Sequence, residues 1–368
     1  MLQNYLKVAF RTFLKNRSFS LINIAGLAIG ISTCILISLF VLDELSFDRF
    51  HANADRIYRV TELLHLPTEI RHQTVTSPPM APALQRGFPE IVKTARLSFS
   101  SRTISYKDAK FPDTKMMYAD SALLQIFSFA MIEGDRDKAL TEPYSVVLTE
   151  RAAKKYFGNE DPLNKIMALS DTLTLTVTGV IQNIPANSHL QFDAAISRAT
   201  ITAFLKGQVE DNWFNNGTYS YILLPEGYNI TDLDAKIPAF LDKEMGADRK
   251  TTGIWYDLLF QPLTSIHLHA TSMYDIGAKG NIKYVYTFTL IAALVLLIAC
   301  ANYINLATAK SVNRAKELGM RKVVGARKNQ LAVQLLGESC MITLFAFVVA
   351  IALVSAALPS FNLLTEKH

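Results

Sequence analysis

A long uncharged run that ends at a strongly basic segment constrains this chain more than any other feature of its sequence. Residues 284–309 contain no charged side chain, and residues 310–328 then carry seven basic residues and one acidic residue. A helix needs about 20 mostly apolar residues to span a bilayer, because no water in the hydrocarbon core can satisfy the backbone. A second apolar run, residues 339–358, follows closely. The pattern predicts a membrane hairpin with a short basic elbow.

A third uncharged run occupies residues 19–42. It is longer than the ~7–15-residue core of a signal peptide, so we expect an uncleaved anchor. The predicted segments are a cytoplasmic amphipathic helix (1–18), a first transmembrane helix (19–42), an extracytoplasmic domain (43–283), a second transmembrane helix (284–309), a cytoplasmic elbow (310–338), a third transmembrane helix (339–358) and the start of an outer loop (359–368).

The distribution of charge predicts the orientation of these segments. Residues 1–18 carry four basic residues and no acid, whereas the chain outside this segment and residues 310–328 carries 26 basic and 31 acidic residues. Basic flanks stay in the cytoplasm, so the N-terminus and the elbow are expected inside and the large domain outside. The net charge of +5 therefore reflects topology, and we expect membrane lipid but no nucleic acid as a partner.

Two small residues in the first run, Gly26 and Gly30, have the spacing that lets membrane helices approach closely. We expect them at a helix–helix contact. All three cysteines fall inside predicted spans, so the outer domain contains no disulfide.

The outer segment mixes two kinds of periodicity. Alternation of polar and apolar residues predicts a strand at residues 172–180, and residues 56–63, 145–149 and 219–224 are also strand-like. Helices are predicted at residues 121–129, 150–157 and 232–245. Because strands and helices do not alternate strictly, we predict an α-helical membrane protein with an α+β extracytoplasmic domain inserted between the first and second transmembrane helices.

Motifs for nucleotide binding and hydrolysis are missing from the sequence. It contains no GxxxxGK[ST], HExxH or GxSxG pattern, so we expect neither an enzyme nor a bound cofactor. His267 and His269 would share one face of a strand, but no third ligand is near in sequence, which favours a structural role. Asp48, Asp55 and Arg56 are interpreted as capping and salt-bridge residues near the membrane surface.

Several motifs together resemble the FtsX/MacB-type ABC transporter permeases. They are RAKELGMRKVVGAR at residues 314–327, FDRFH at 47–51, LTERAAKKYFG at 148–158, VTGVIQNIPANSH at 177–189 and PLTSIHL at 262–268. The outer motifs are similar to the MacB-like periplasmic core domain of that family, and the resemblance extends over essentially the whole chain.

The resemblance implies a permease subunit of the inner membrane for export, efflux or release of a substrate. In that family a separate cytoplasmic ATPase binds a coupling helix between the second and third spans and drives the periplasmic domain, a process called mechanotransmission. It implies a second permease copy or a second half of the same chain, and a periplasmic adaptor or outer-membrane partner. The residues that match the coupling segment are Arg314, Lys316, Glu317, Leu318, Gly319, Met320, Arg321, Lys322, Val323, Gly325 and Ala326.

Two alternatives remain open from the sequence. An FtsX-like signalling adaptor, which regulates an extracytoplasmic partner such as a cell-wall hydrolase, would share the same elbow. A membrane-anchored enzyme is disfavoured by the missing catalytic motifs. A family half-unit has four spans, so we expect this three-span chain to be an N-terminal fragment of a longer permease.

Overall fold

The computed structural model describes residues 17–170, 172–205, 207, 210–313, 319–320, 323–324, 328–365 and 367. The chain divides into two compact units. One is a helical unit of Met1–Leu45 with Ile282–His368, and the other is the outer domain, Ser46–Asn281. The helices are α1 (Arg17–Ser46), α2 (Met80–Gly87), α3 (Leu123–Ile126), α4 (Glu150–Phe157), α5 (Ala199–Phe204), α6 (Ile230–Asp234), α7 (Ile237–Thr252), α8 (Ile282–Asn313) and α9 (Lys328–Leu364).

Three helices of the helical unit are long and apolar enough to cross a membrane, over Ser20–Ser46, Ile282–Ala309 and Leu331–Leu364. They overlap the three predicted spans, but two bounds differ. Helix α8 continues to Asn313, into the predicted elbow, and α9 runs through Pro359 to Leu364, where an outer loop was predicted. The prediction of a loop there was wrong because a proline removes only one helical hydrogen bond, and an apolar helix tolerates that loss better than exposed backbone. The predicted helix at residues 1–18 lies almost entirely outside the described residues.

Helix α4 forms as its sequence predicts. The side chain of Thr149 accepts a hydrogen bond from the amide of Ala152, and Gly158 takes a left-handed φ of 64° just past the last residue. This is the pairing of a hydroxyl N-cap with a glycine stop that favours a short helix.

Two other helical predictions need correction. The helix predicted at 121–129 is the single turn α3, because Phe127 adopts extended backbone. The helix predicted at 232–245 is split into α6 and α7, and α7 passes through Gly246 to end at Gly253, whose φ is 69°. A glycine inside a helix costs only about 1 kcal/mol, so the second glycine serves as the stop.

The strands of the outer domain form one mixed sheet. Their bounds are β1 (Ile57–His65), β2 (Ile70–Gln73), β3 (Lys93–Tyr106), β4 (Ala109–Ala119), β5 (Met131–Gly134), β6 (Ser145–Thr149), β7 (Ile166–Leu169), β8 (Leu173–Ile181), β9 (Ala194–Ser197), β10 (Tyr219–Leu223) and β11 (Trp255–Pro262). The order is β11-β1-β10-β3-β4-β9-β6-β8-β5, with β2 beside β1 and β7 between β3 and β8. Parallel pairs β4–β9 and β6–β8 occur among antiparallel ones, so the predicted α+β class is confirmed.

The sheet order shows how the outer domain is built. Strands β1, β3, β10 and β11 form an antiparallel sheet in the order of a split βαβ fold, with α2 and α7 as the crossover helices. Strands β4–β9 are inserted between its second and third strands. One core lies between this sheet and its helices and includes Val60, Leu84, Ile222, Phe240 and Leu258.

Candidate functional site

The predicted coupling segment is described only at a few positions. Gly319, Met320 and Val323 are helical, and the amide of Val324 donates to the carbonyl of Met320 at 3.0 Å. The side chains of Met320 and Val323 are 70 % and 89 % exposed. The remaining predicted coupling residues lie outside the described residues, namely Arg314, Lys316, Glu317, Leu318, Arg321, Lys322, Gly325 and Ala326.

The two predicted packing glycines face different surroundings in the helical unit. A Cβ built on Gly30 would lie 2.6 Å from the Cβ of Ala299 on α8, which is closer than two non-bonded carbon atoms come in proteins. A Cβ on Gly26 would lie 3.9 Å from Nδ2 of Asn302, an ordinary contact. At Gly30 the two helices are therefore too close to accommodate a methyl group without moving, whereas Gly26 has room for one.

A lysine three residues past the end of α9 contacts two acids at the C-terminal end of α1. Nζ of Lys367 lies 2.6 Å from Oε1 of Glu44 and also contacts the carboxylate of Asp43. Both acids lie at the end of α1, just past its apolar run. This ion cluster brings the predicted outer ends of the first and third spans together.

The segment that follows α1 is pinned inside the outer domain by a buried acid. Asp48 has a left-handed φ of 58°, and its amide donates to the carbonyl of Asn187 at 2.9 Å. Its Oδ2 lies 2.8 Å from Nδ1 of His189, and both side chains are completely buried. Ser188 Oγ and the amide of His189 also donate to Oδ1, at 3.0 and 3.1 Å. Burial alone would raise the pKa of Asp48, but His189 and Ser188 outweigh it, so the pKa is lowered.

The same segment is fixed a second time at His51. Its Nδ1 accepts a hydrogen bond from the amide of Ser128 at 3.0 Å, and Ser128 Oγ accepts one from the amide of Ala52 at 2.9 Å. The ring meets Phe127 and Phe129 edge-on. Burial lowers the pKa of His51 to about 4, so the ring is neutral at physiological pH and Nδ1 serves as an acceptor.

Two rings connect this segment to the rest of the core. The ring of Phe47 stacks on that of His267, with centroids 3.4 Å apart and planes within 2°. The second ring is that of His189, the partner of Asp48, whose Nε2 lies 2.8 Å from the hydroxyl of Tyr221 on β10. We call the set Phe47, Asp48, His51, His189, Tyr221 and His267 the anchor cluster.

The segment that leads out of the outer domain is held at the same cluster. Nδ1 of His267 donates a hydrogen bond to the carbonyl oxygen of Ala278, 2.9 Å away. Gly277 has a φ of 81°, and a Cβ there would lie 2.5 Å from the carbonyl oxygen of His189, so the backbone approach requires glycine. Asp275 forms a buried ion pair with Arg59 on β1, at 2.6 Å.

Residues 47–51 are hereafter the N-terminal link, and residues 266–280 the C-terminal link. Together they place three of the sequence motifs in one cluster, which the sequence did not predict. Asp48 was interpreted as a capping and salt-bridge residue near the membrane surface; it does form an ion pair, with His189, but that pair is buried inside the outer domain. His267 and His269 lie in a turn after the 3-10 helix Leu263–Ser265, and not on a strand. In the described part of the chain no group of three or more acids, histidines or cysteines is arranged to hold a metal ion.

Comparison with known proteins identifies two family models along the chain. The model of the MacB-like periplasmic core domain matches residues 20–240, and that of the FtsX-like permease C-terminal region matches residues 289–367. No curated protein matches the chain.

Among solved structures, the chain is similar to a domain of a permease protein from Porphyromonas gingivalis. The two are 21 % identical, with a TM-score of 0.52 over 64 % of this chain and 98 % of that one. The periplasmic region of MacB from Actinobacillus actinomycetemcomitans is 14 % identical, with a TM-score of 0.42 over 58 % and 91 %. The extracellular domain of the noncanonic ABC-type transporter YknZ from Gram-positive bacteria is 11 % identical, with a TM-score of 0.38 over 56 % and 99 %. Only the first of these structures has a TM-score above 0.5, and at 21 % identity it supports the fold of the outer domain alone.

Proposed function

Because the chain belongs to the family of FtsX/MacB-type ABC transporter permeases, we propose that it couples ATP hydrolysis by a separate cytoplasmic ATPase to motion of its outer domain. Permeases of this family work with ABC ATPase partners. In this proposal the motion exports or releases a substrate, and the chain pairs with a second permease copy or a second half. The protein lies in the inner membrane, with its N-terminus in the cytoplasm.

The anchor cluster is the observation that carries this proposal. The N-terminal link begins one residue after α1 ends, and the C-terminal link ends two residues before α8 begins. The N-terminal link pairs with His189 through Asp48 and stacks on His267 through Phe47, and His267 belongs to the C-terminal link, whose Gly277 lies against the backbone of His189. A displacement of α1 or of α8 therefore reaches the same packed cluster through the link next to that helix. Packed interiors transmit strain because they have few voids in which to absorb it.

The proposed docking site for the ATPase is the elbow. Its described apolar side chains, Met320, Val323 and Val324, are strongly exposed, which suits insertion into a cleft on a protein partner. The basic and small residues around them complete the proposed coupling surface, with Glu317 as its only acid.

Crosslinking from the elbow tests the choice of partner. Cys34, Cys300 and Cys340 are first replaced by serine, and Met320→Cys is introduced into the full-length protein in its native membrane. The matched control is Leu363→Cys, at the C-terminal end of α9 and 82 % exposed. We expect a thiol crosslinker to join an ABC ATPase to the first variant only. Capture of no ATPase, or equal capture by the control, would overturn the proposed docking site.

A second experiment tests whether the anchor cluster transmits motion. Hydrogen exchange of the permease–ATPase complex is compared with and without ATP, for the native protein and for His189→Asn. We expect ATP to change the exchange of both links in the native complex, and the variant to keep ATP hydrolysis but lose that change in the outer domain. An identical response of native and variant complexes would show that the cluster is not part of the coupling.

A further inference from the structure

The last strand of the sheet leaves one long edge open. Strand β11 pairs with β1 along its whole length, from Tyr58 opposite Pro262 to His65 opposite Trp255. In the part of the chain that the structure describes, no strand pairs with its other edge. Open edges are templates for a further strand, and proteins usually protect them with lysine, proline or a covering element. The interior of this edge carries neither lysine nor proline, since Pro262 is its final residue.

Helix α7 runs beside this open edge and forms a groove with it. A concavity of about 400 Å³ lies between the start of α7 and β11, and a smaller one of about 100 Å³ continues toward Trp255. Pro238, Leu241 and Asp257 line both, so the two are continuous. The other apolar side chains of the larger part are Ile237, Leu258, Leu259 and Phe260.

The charged groups of this groove are mostly acidic. Among the described residues that line it, the charged ones are Asp234, Asp242, Asp257 and Arg249. Arg249 already forms an ion pair with Asp242, at 3.3 Å, and its guanidinium lies over the ring of Trp255. Asp257 contacts His65 at 2.7 Å. Partial burial raises the pKa of Asp234, and no described cation pairs with it.

We propose that this groove binds an extended, basic segment of a partner protein, which adds to the sheet as a strand beside β11. Main-chain hydrogen bonds to the open edge supply affinity. Alternate apolar side chains of the segment pack on the α7 face beside Ile237 and Leu241, and the intervening ones lie on the opposite face beside Leu259. A lysine or arginine on the α7 face of the segment lies near Asp234, and one on the opposite face lies near Asp257. This role requires no coupling to an ATPase, so it stands or falls separately from the proposed function.

The acidic lining distinguishes this occupant from a second copy of the chain. Two copies that paired β11 with β11 would bring Asp234 and Asp257 of both into one interface, and like charges at close range disfavour such pairing. A basic strand instead supplies the missing cation, and electrostatic complementarity of this kind selects partners.

Peptide selection on the full-length protein in neutral lipid nanodiscs tests the proposal. A random display library of short peptides is used as the probe, and the enriched peptides are synthesised and their affinities measured. We expect them to be basic, with alternating apolar residues. Asp234→Asn and Leu259→Lys should weaken binding by at least about tenfold, the loss typical of an unpaired interfacial charge. Their matched controls are Asp232→Asn and Leu205→Lys, which do not line the groove. Leu205 is 39 % exposed, against 40 % for Leu259.

Backbone N-methylation of the selected peptides tests strand addition itself. A peptide that pairs with β11 has alternate amides facing the edge, so methylation of one alternate set should abolish binding and methylation of the other should not. The proposal is overturned if no basic peptides are enriched, if both methylated sets bind equally, or if the groove and control variants behave alike. It is also overturned if Leu259→Lys dissociates a permease dimer, because a second copy would then occupy the edge.

Discussion

Nδ1 of His189 lies 2.8 Å from Oδ2 of Asp48, and neither side chain is accessible to solvent. This contact joins the residue two positions past the end of α1 to a loop that follows β8. Asp48 is ionised at neutral pH, because its pKa is lowered against the effect of burial. A buried pair of this kind adds little net stability over an apolar pair, but the loss of one partner leaves a charge with no compensation.

Removal of the His189 side chain should therefore lower the free energy of unfolding more than removal of the charge of Asp48. We expect His189→Ala to reduce the free energy of unfolding by about 3–5 kcal/mol, and Asp48→Asn to reduce it less, because the amide keeps an acceptor for Ser188. Urea unfolding of the detergent-solubilised protein measures both, since the only tryptophans, Trp213 and Trp255, report on the outer domain. Asp55→Asn, at an exposed position, is the control. A loss for His189→Ala no larger than that of the control would contradict the buried-pair account.

Local signals in this sequence predicted local structure well. The Thr149 cap and the Gly158 stop fixed the bounds of α4, and uncharged runs located the three apolar helices. The partner of Asp48 was not predictable in this way, because it lies 141 positions away and is brought close only by the sheet order. Likewise, the sequence offers two glycines as the stop of α7, and the helix runs through Gly246 and ends before Gly253, whose φ is 69°.

The stability of the outer domain should also depend on Glu62. Burial raises the pKa of this carboxyl to about 8, although Gln73 Nε2 donates to it at 3.1 Å. In the unfolded chain it titrates near 4.5. Between these values the folded state holds a proton that the unfolded state has lost, so its contribution to stability falls as the pH rises and levels off above about 8.

Glu62→Gln keeps the shape of this side chain and removes its titration. We expect the variant to gain stability relative to the native protein between about pH 5 and about pH 8, as measured by urea unfolding at each pH. Glu133→Gln, at an exposed position on β5, is the control and should leave the pH dependence unchanged. A native-like slope in Glu62→Gln would show that Glu62 ionises normally in the folded protein.

The proposed orientation of the chain rests on its basic segments and is open to a labelling test. In a background free of native cysteines, Ile70→Cys on β2 and Met320→Cys in the elbow are both exposed positions. A membrane-impermeant maleimide should label the first in intact spheroplasts and the second only after permeabilisation, because basic flanks stay inside. Labelling of Met320→Cys in intact spheroplasts would reverse the proposed topology.

The close approach of α1 and α8 at Gly30 predicts an asymmetric response of the two glycines. Gly30→Ala would place a Cβ 2.6 Å from that of Ala299, so the helices must separate and the melting temperature of the purified protein should fall. Gly26→Ala has room and should be close to neutral. The double variant Gly30→Ala with Ala299→Gly moves the methyl group to the other helix and should recover most of the loss. Thermal unfolding followed by size-exclusion chromatography measures all three, and equal effects of Gly26→Ala and Gly30→Ala would show that the helices are not in tight contact at Gly30.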